Sequence, residues 1–506
     1  MNILLKYDGR VLTEEVIEEV EKDLIRIGLY RPMRQPETVQ SKWRDADKGS
    51  IAPVPLNSEE TELLYHDNIQ DHKEAGFPKG WPSRFDTQFK LMKVLGFVYY
   101  EFGEKIIFSD TGRLLAETVS VTVDDSQISH SIQNPQNERM AFLNAFSRHQ
   151  RGNPFIRELN RNIPLILLLQ TITLLDKDPE YNGSGIAYHE LPLLLFWKDD
   201  NAEALYRRIK RLRTEWGYTP SDETIEEICT KEILGGYKKF KLKSITDEYP
   251  DDFVRKMRLT GLISLRGGGR FIDINRNEDR AVEYLLTHYK DWYHSYSSLE
   301  EYFEYAGKVI PYLEELYSIP KKIAEAGRLL PGLSSREEYE PHTVIKELMV
   351  LSKGLSSKHP TLRFIPAPAR LEFLTALAIF QNFKEISVSP NYPCDDEGLP
   401  LTTAGSDKGD IECIERGKGI LVEVTMAGGR TQTMMEAWPV GRHLEAFARN
   451  NPDRDTQGVF VAPSLYPDTI DQFAWLRDRR RQVVRSFRIA DFVAFLEKSD
   501  TLFVTT

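Results

Sequence analysis

Apolar positions between residues 86 and 117 change period twice. Phe89, Leu91, Met92 and Val94 recur at helical spacing up to Gly96. Phe97-Val-Tyr-Tyr-Glu and Ile106-Ile-Phe-Ser then flank a Phe102-Gly-Glu-Lys turn, and these β-rich runs predict a hairpin. A second helix follows, with Ser109 or Asp110 to cap it and Leu114 and Leu115 on its apolar face. Helix, hairpin, helix is the order of a winged-helix module. The same order returns between residues 251 and 288. There Phe253 to Leu259 is helical, Leu262-Ile-Ser-Leu and Arg270-Phe-Ile-Asp-Ile read as strands, and Gly267-Gly-Gly forms the tip. The two segments share an architecture without a strict sequence repeat.

The longest apolar stretch, Ile163 to Leu175, holds Pro164, Gln170 and two threonines, so it is too short and polar for a bilayer and predicts a buried helix. Residues 297–333 read as helical and rich in tyrosine and glutamate, and another helix is expected around His342 to Leu351. This stretch has the character of a connector, and its aromatic stripe that of packing. Beyond it the pattern changes again. Pro368 opens a helix with Leu371, Leu374, Leu377 and Ala378 on one face, which puts Glu372 in its first turn. After a Pro/Asp-rich loop, Gly409 to Glu415 and Ile420 to Met426 read as strands around an Arg416-Gly-Lys-Gly turn. A helix from Thr431 and a strand at Gly458-Val-Phe-Val-Ala follow.

Size and composition narrow the class. A chain of 506 residues, 41% hydrophobic and 28% charged, has room for three or four ordinary globular domains. Cys229, Cys394 and Cys413 are odd in number and widely spaced, which fits reduced thiols and gives no zinc pattern. Met1-Asn-Ile-Leu-Leu-Lys lacks the apolar core of a secretory signal, so a cytoplasmic location is expected. No Lys-Ser/Thr follows Gly267-Gly-Gly, so no ATP site is expected.

A net charge of −11 argues at first against a nucleic-acid partner. The positive charge is segregated, however. Arg207, Arg208, Lys210, Arg211 and Arg213 crowd seven residues of a helical pattern running from Ala202 to Trp216. Lys238, Lys239, Lys241 and Lys243 follow, with Tyr237 and Phe240 nearby, and Arg266 and Arg270 flank the glycine tip. One such cluster is as often a solvated face as a phosphate contact. Two of them beside a winged-helix pattern point to double-stranded DNA.

The C-terminal stretch carries the candidate chemistry. Alternation along a strand puts Glu423 and Thr425 on one face, with Glu423 at an apolar strand centre where an unpaired carboxylate is costly. A compensating cation is expected there, within reach of Asp410 on the neighbouring antiparallel strand. Carboxylates converging from a hairpin and flanking helices suit a hard divalent cation that keeps water for attack on a phosphodiester. Gln432 and Glu436 stand four apart on the next helix, so Glu436 completes the set. His443, two turns further, faces the same site or serves only structure. Glu412 shares a face with Asp410 and is a weaker candidate.

The run from Asp410 to Glu423-Val-Thr425 resembles the PD-(D/E)xK nuclease core. It is most similar to the AlwI-type group of type IIS restriction endonucleases, which includes strand-nicking relatives. In that group the acids come as helix Glu, strand Asp, strand Glu, helix Glu. Glu372, Asp410, Glu423 and Glu436 stand in that order, the last three spaced by thirteen residues. Two departures stand out. Thr425 replaces the motif lysine, with Arg430, Gln432, His443 or a second metal at Glu436 as substitutes, and Gly409-Asp410 replaces Pro-Asp, with Asp407 a weaker alternative.

The resemblance implies a multidomain α+β protein of a prokaryotic cell. Two winged-helix-type DNA-recognition modules would occupy residues 1–165 and 166–290, a helical linker 291–355, and an α/β PD-(D/E)xK nuclease domain 356–506. Asp410, Glu423 and the Val424 carbonyl would hold Mg2+, with Mn2+ able to stand in, and Glu372, Glu436 and His443 would complete the catalytic set. Arg207, Arg208, Lys210, Arg211, Lys238, Lys239, Arg266 and Arg270 would contact DNA. The activity implied is cleavage or nicking at a short distance from an asymmetric site. Double-strand cleavage would need a second nuclease subunit or a self-dimer, with neither membrane nor ATP involved. The alternatives are a structure-directed repair nuclease and a non-enzymatic winged-helix regulator.

Overall fold

The computed structural model describes residues 1–43, 54–123, 128–132, 134–181, 185–236, 240–290, 296–318, 326–405 and 408–503. No described helix is long and apolar enough to cross a membrane.

The first expected unit forms as helix Trp81–Val94, a hairpin of Val98–Tyr99 with Ile107–Phe108, and helix Asp110–Glu117. Ser109 caps that helix by accepting the Gly112 N–H at 3.0 Å. A further hairpin, Val119–Val123 with Ile128–Ile132, lies just beyond it. This unit packs with residues 3–43 and 56–65 around its own apolar cluster, which includes Ile17, Phe85 and Tyr100.

In the second unit the basic helix α1 (Ala202–Trp216) buries Leu205, Ile209 and Leu212. Helix α2 (Tyr249–Leu259) leads into Ile263–Arg266, which pairs antiparallel with Phe271–Ile274. A short strand absent from the sequence pattern, Ile186–Ala187, adds to the other edge of Phe271–Ile274.

The glycine tip of this hairpin is seated on the rest of the chain. A Cβ on Gly269 would lie 2.9 Å from the Pro360 carbonyl oxygen, and Gly268 (φ 68°) and Gly269 (φ 79°) both hold left-handed backbone, so the approach needs glycine. Beside the tip, Arg258 Nη1 lies 3.1 Å from Asp395 and Arg336 Nη2 lies 2.7 Å from Glu397. Arg266 binds Asp273, Asp396 and Glu397 together.

The C-terminal part is built on helix α3 (Ala367–Asn382) and a five-stranded sheet of β1 (Ile386–Pro390), β2 (Ile411–Glu415), β3 (Lys418–Val424), β4 (Thr456–Ala462) and β5 (Val484–Arg488). Its order is β5-β4-β3-β2-β1, antiparallel from β1 to β3 and parallel from β3 to β5. Each parallel step needs a crossover helix. Helix α4 (Trp438–Asn450) supplies the first and α5 (Pro467–Arg480) the second. Ile420, Leu421 and Val422 are buried in an unbroken run, as a strand covered on both faces must be. One apolar cluster runs from Leu95 through α1 and α3 to Leu502, joining the second unit to the sheet.

Candidate active site

The β2–β3 register pairs Val422 with Ile411, which brings Asp410 opposite Glu423 where the two strands end. Asp410 Oδ2 accepts the Val424 N–H at 2.7 Å, and its carboxyl lies within hydrogen-bonding reach of Glu423. Behind them α3 contributes Glu372, only 3% exposed, whose Oε2 accepts the Ala404 N–H at 2.9 Å. Past β3 the chain crosses the short helix Gly429–Gln432 and a wide π-type turn, Thr433–Ala437, before α4 begins. Glu436 leaves that turn to accept the Thr425 hydroxyl at 3.1 Å. His443 on α4 places Nδ1 2.8 Å from Glu423 Oε1.

Glu372 and Glu423 are buried and Asp410 and Glu436 half-buried, and desolvation is the main force raising each above the usual carboxylate range. Mutual repulsion adds to it. Glu372 feels Asp410, Glu423 and Glu436, and Asp410 feels Glu423 and Glu436. Among the described residues no lysine or arginine pairs with any of the four. His443 is the basic side chain on the group. The donor set is all oxygen, buried and crowded with negative charge, which suits a hard divalent cation. Among the described residues no group of three or more His, Cys, Asp or Glu side chains, this one included, is drawn together closely enough to hold a metal ion. The carboxylates therefore face one another without being drawn into a closed cage.

Glycine at 409 has a local reason. A Cβ there would lie 2.4 Å from Leu421 Cδ1 and 3.0 Å from Glu423 Oε1, so a proline before Asp410 would collide with β3. Of the candidates to replace the motif lysine, Gln432 is committed elsewhere. Its amide donates to the Ala427 and Ser464 carbonyls at 3.0 and 2.8 Å and accepts the Tyr466 N–H at 2.9 Å. It ties the chain leaving β3 to the chain leaving β4, and the π-type turn breaks the i, i+4 register that would have set it beside Glu436. Thr425 donates to Glu436 and accepts the Ala427 N–H at 3.0 Å, so it carries no positive charge into the site. Glu412 turns to Asn391, whose amide donates to it at 3.3 Å. Asp407 and the Arg430 side chain lie outside the described residues.

The residues expected to touch DNA are not gathered into one free face. Arg208, with 7% of its side chain exposed, binds Glu232 at 2.7 Å, and Arg211 reaches the same carboxylate at 2.8 Å. Lys210 binds Asp178 at 2.7 Å, and Arg207 pairs with Glu203 one turn back. Arg213 is buried against Glu190. Arg266, expected to reach a groove, is instead held by three carboxylates, because the hairpin tip is seated rather than projecting. Arg270 is exposed and has no ion pair among the described residues. It borders a cavity of about 1330 Å³ together with Tyr188, His189 and Arg363. Lys238 and Lys239 lie outside the described residues. Glu203 and Asp273 apart, the acids that neutralise these cations lie twenty or more residues away, beyond the reach of local sequence patterns. Only the crowding of Asp395, Asp396 and Glu397 in one loop hinted at them.

A protein-family model described as the AlwI restriction endonuclease matches residues 93–315 and 351–491. No curated protein matches. Among solved structures, the small subunit of the heterodimeric restriction endonuclease R.BspD6I aligns at 18% identity over 31% of this chain and 77% of its own, with a TM-score of 0.26. Restriction endonuclease FokI aligns at 12% identity over 99% of this chain and 94% of its own, also at 0.26. FokI bound to DNA aligns at 13% identity over 98% and 96%, at 0.25. The family match spans more than half of the chain, and the chain belongs to the AlwI restriction endonuclease family.

Proposed function

We propose that this restriction-type endonuclease is a type IIS enzyme that hydrolyses DNA a short distance from an asymmetric site at the Glu372–Asp410–Glu423–Glu436 cluster. One observation carries the reading. Four carboxylates, two buried and two half-buried, converge where β2, β3, α3 and the turn before α4 meet, and no lysine or arginine among the described residues offsets them. Such crowding is costly unless a cation is recruited.

Asp410, Glu423 and the Val424 carbonyl would hold magnesium, with manganese able to replace it. When bound, the ion lowers the pKa of water and neutralises charge on the phosphate. The chain's own groups set the geometry. The Val424 N–H fixes the Asp410 carboxylate, His443 fixes Glu423, and the Thr425 hydroxyl fixes Glu436. Glu372 and Glu436 border the site from opposite helical elements, where each can orient a water or share a second cation. Cleavage by water leaves a 5′-phosphate and a 3′-hydroxyl. One such centre cuts one strand, so a double-strand break needs a second centre, from another copy or another subunit. Sequence reading would belong to residues 1–290, with residues 291–355 joining them to the nuclease part at 356–506.

The test is cleavage of supercoiled plasmid in magnesium or EDTA by the wild-type chain, Asp410→Ala and Glu423→Ala. Discrete nicked or linear products that require magnesium, and that fall at least about a thousandfold in both variants, are expected. Cleavage that survives both substitutions would overturn the assignment.

A further inference from the structure

On the side of α4 away from the carboxylates, a second surface has the chemistry of a nucleic-acid contact. Residues 477–481 hold four arginines and one aspartate in a chain whose net charge is −11. Arg477 pairs with its neighbour Asp478, and Arg480 stands 3.9 Å from Glu445. Arg479 and Arg481 are exposed and have no ion pair among the described residues. Arg442 and Arg449 are exposed on the adjoining α4. Two tryptophans lie within this charge. Trp438 is 46% exposed and Trp475 39% exposed, with ring centroids 5.4 Å apart at 63° and the Arg480 guanidinium 5.6 Å from the Trp475 ring.

The surface is continuous because the two helices run side by side. Thr433 meets Thr469 at 2.8 Å, Gly441 packs against Leu476, and Glu445 faces Arg480. Trp438 lies five residues before His443, the α4 residue that meets Glu423, and is thereby turned roughly 140° around the helical axis from it.

We infer that this α4–α5 face binds the DNA backbone to one side of the cut, the arginines neutralising phosphates and the tryptophans packing on deoxyribose. Exposed arginines hold nucleic acid through its phosphates without reading sequence, and flanking aromatic rings add apolar contact to the sugars. A second copy of the chain is the rival occupant. A two-fold contact would oppose the same arginine-rich face to itself, and like charge disfavours that. The inference rests on the endonuclease reading above.

The test measures binding of the full-length chain to a fluorescein-labelled DNA duplex of mixed sequence, in EDTA, across a potassium chloride series. Plasmid cleavage in magnesium runs in parallel. Arg479→Gln/Arg481→Gln should lower the slope of log K against log salt by about 2, and Arg479→Lys/Arg481→Lys should keep the slope. Trp475→Ala should weaken binding severalfold with the slope intact, since the ring carries no charge. A wild type that cuts plasmid while all variants bind with unchanged affinity and slope overturns this inference alone. Dimers in sedimentation that the glutamine pair dissolves, with DNA affinity and slope unchanged, assign the face to a second copy and overturn it too. A wild type that neither binds nor cuts overturns the endonuclease reading, and this one with it.

Discussion

Two acidic clusters lie in the C-terminal part, and they are handled in opposite ways. Asp395, Asp396 and Glu397 each meet an arginine, from Arg258, Arg266 or Arg336. Glu372, Asp410, Glu423 and Glu436 are as deeply placed and meet one histidine. Acids of the first kind are part of the fold, since their charges are already balanced by the chain. Acids of the second kind are held at a loss that the folded chain does not recover by itself. Burial alone does not mark a working site; burial without a counter-charge does.

The sharpest way to break the contrast is to make the first cluster resemble the second. Arg258→Met would strand Asp395, which is fully buried, and should destabilise the protein by about 3–5 kcal/mol in thermal or urea unfolding. The converse change should have the opposite sign. Asp410→Asn removes one repelling charge yet keeps an acceptor for the Val424 N–H, so metal-free stability should rise by about 1–3 kcal/mol while cleavage is lost. A fall in stability instead would show that Asp410 is structural.

A smaller effect follows from the raised carboxylates. In the metal-free protein they hold protons that the unfolded chain has already released. Stability is then lost as pH climbs from the ordinary carboxylate range toward the folded values, and does not return at higher pH. The melting temperature in EDTA should fall along that path, with a shallower fall in Asp410→Asn and in wild type with magnesium. A melting temperature that rises with pH over the same range would contradict the direction given for these groups.

Much of the candidate site was legible because its signals are local. Alternation around Glu423, the Arg416-Gly-Lys-Gly turn and the proline opening α3 each depend on a few neighbours, and β3 and α3 form where they suggest. The bounds of α1 were equally plain from apolar spacing. What escaped was long-range or irregular. Ile186–Ala187 is a strand only because Phe271–Ile274 lies beside it. The π-type turn at Thr433–Ala437 defeats a count by fours, so Gln432 and Glu436 part company. Above all, a run of arginines does not reveal its partners. Those of α1 are answered by Glu190, Glu203 and Glu232, while Arg479 and Arg481 at the end of α5 have no ion pair within the described residues.

The seated glycine tip has a mechanical meaning. Gly268 and Gly269 press against Glu338 and Pro360, and the arginines beside them grip the loop that leads into the sheet. A cutting centre on a slack tether would wander and scatter its breaks over many positions. With recognition placed in residues 1–290 and hydrolysis beyond residue 356, as proposed, this joint makes the molecule a ruler. Its stiffness would set how sharply the distance from site to cut is defined.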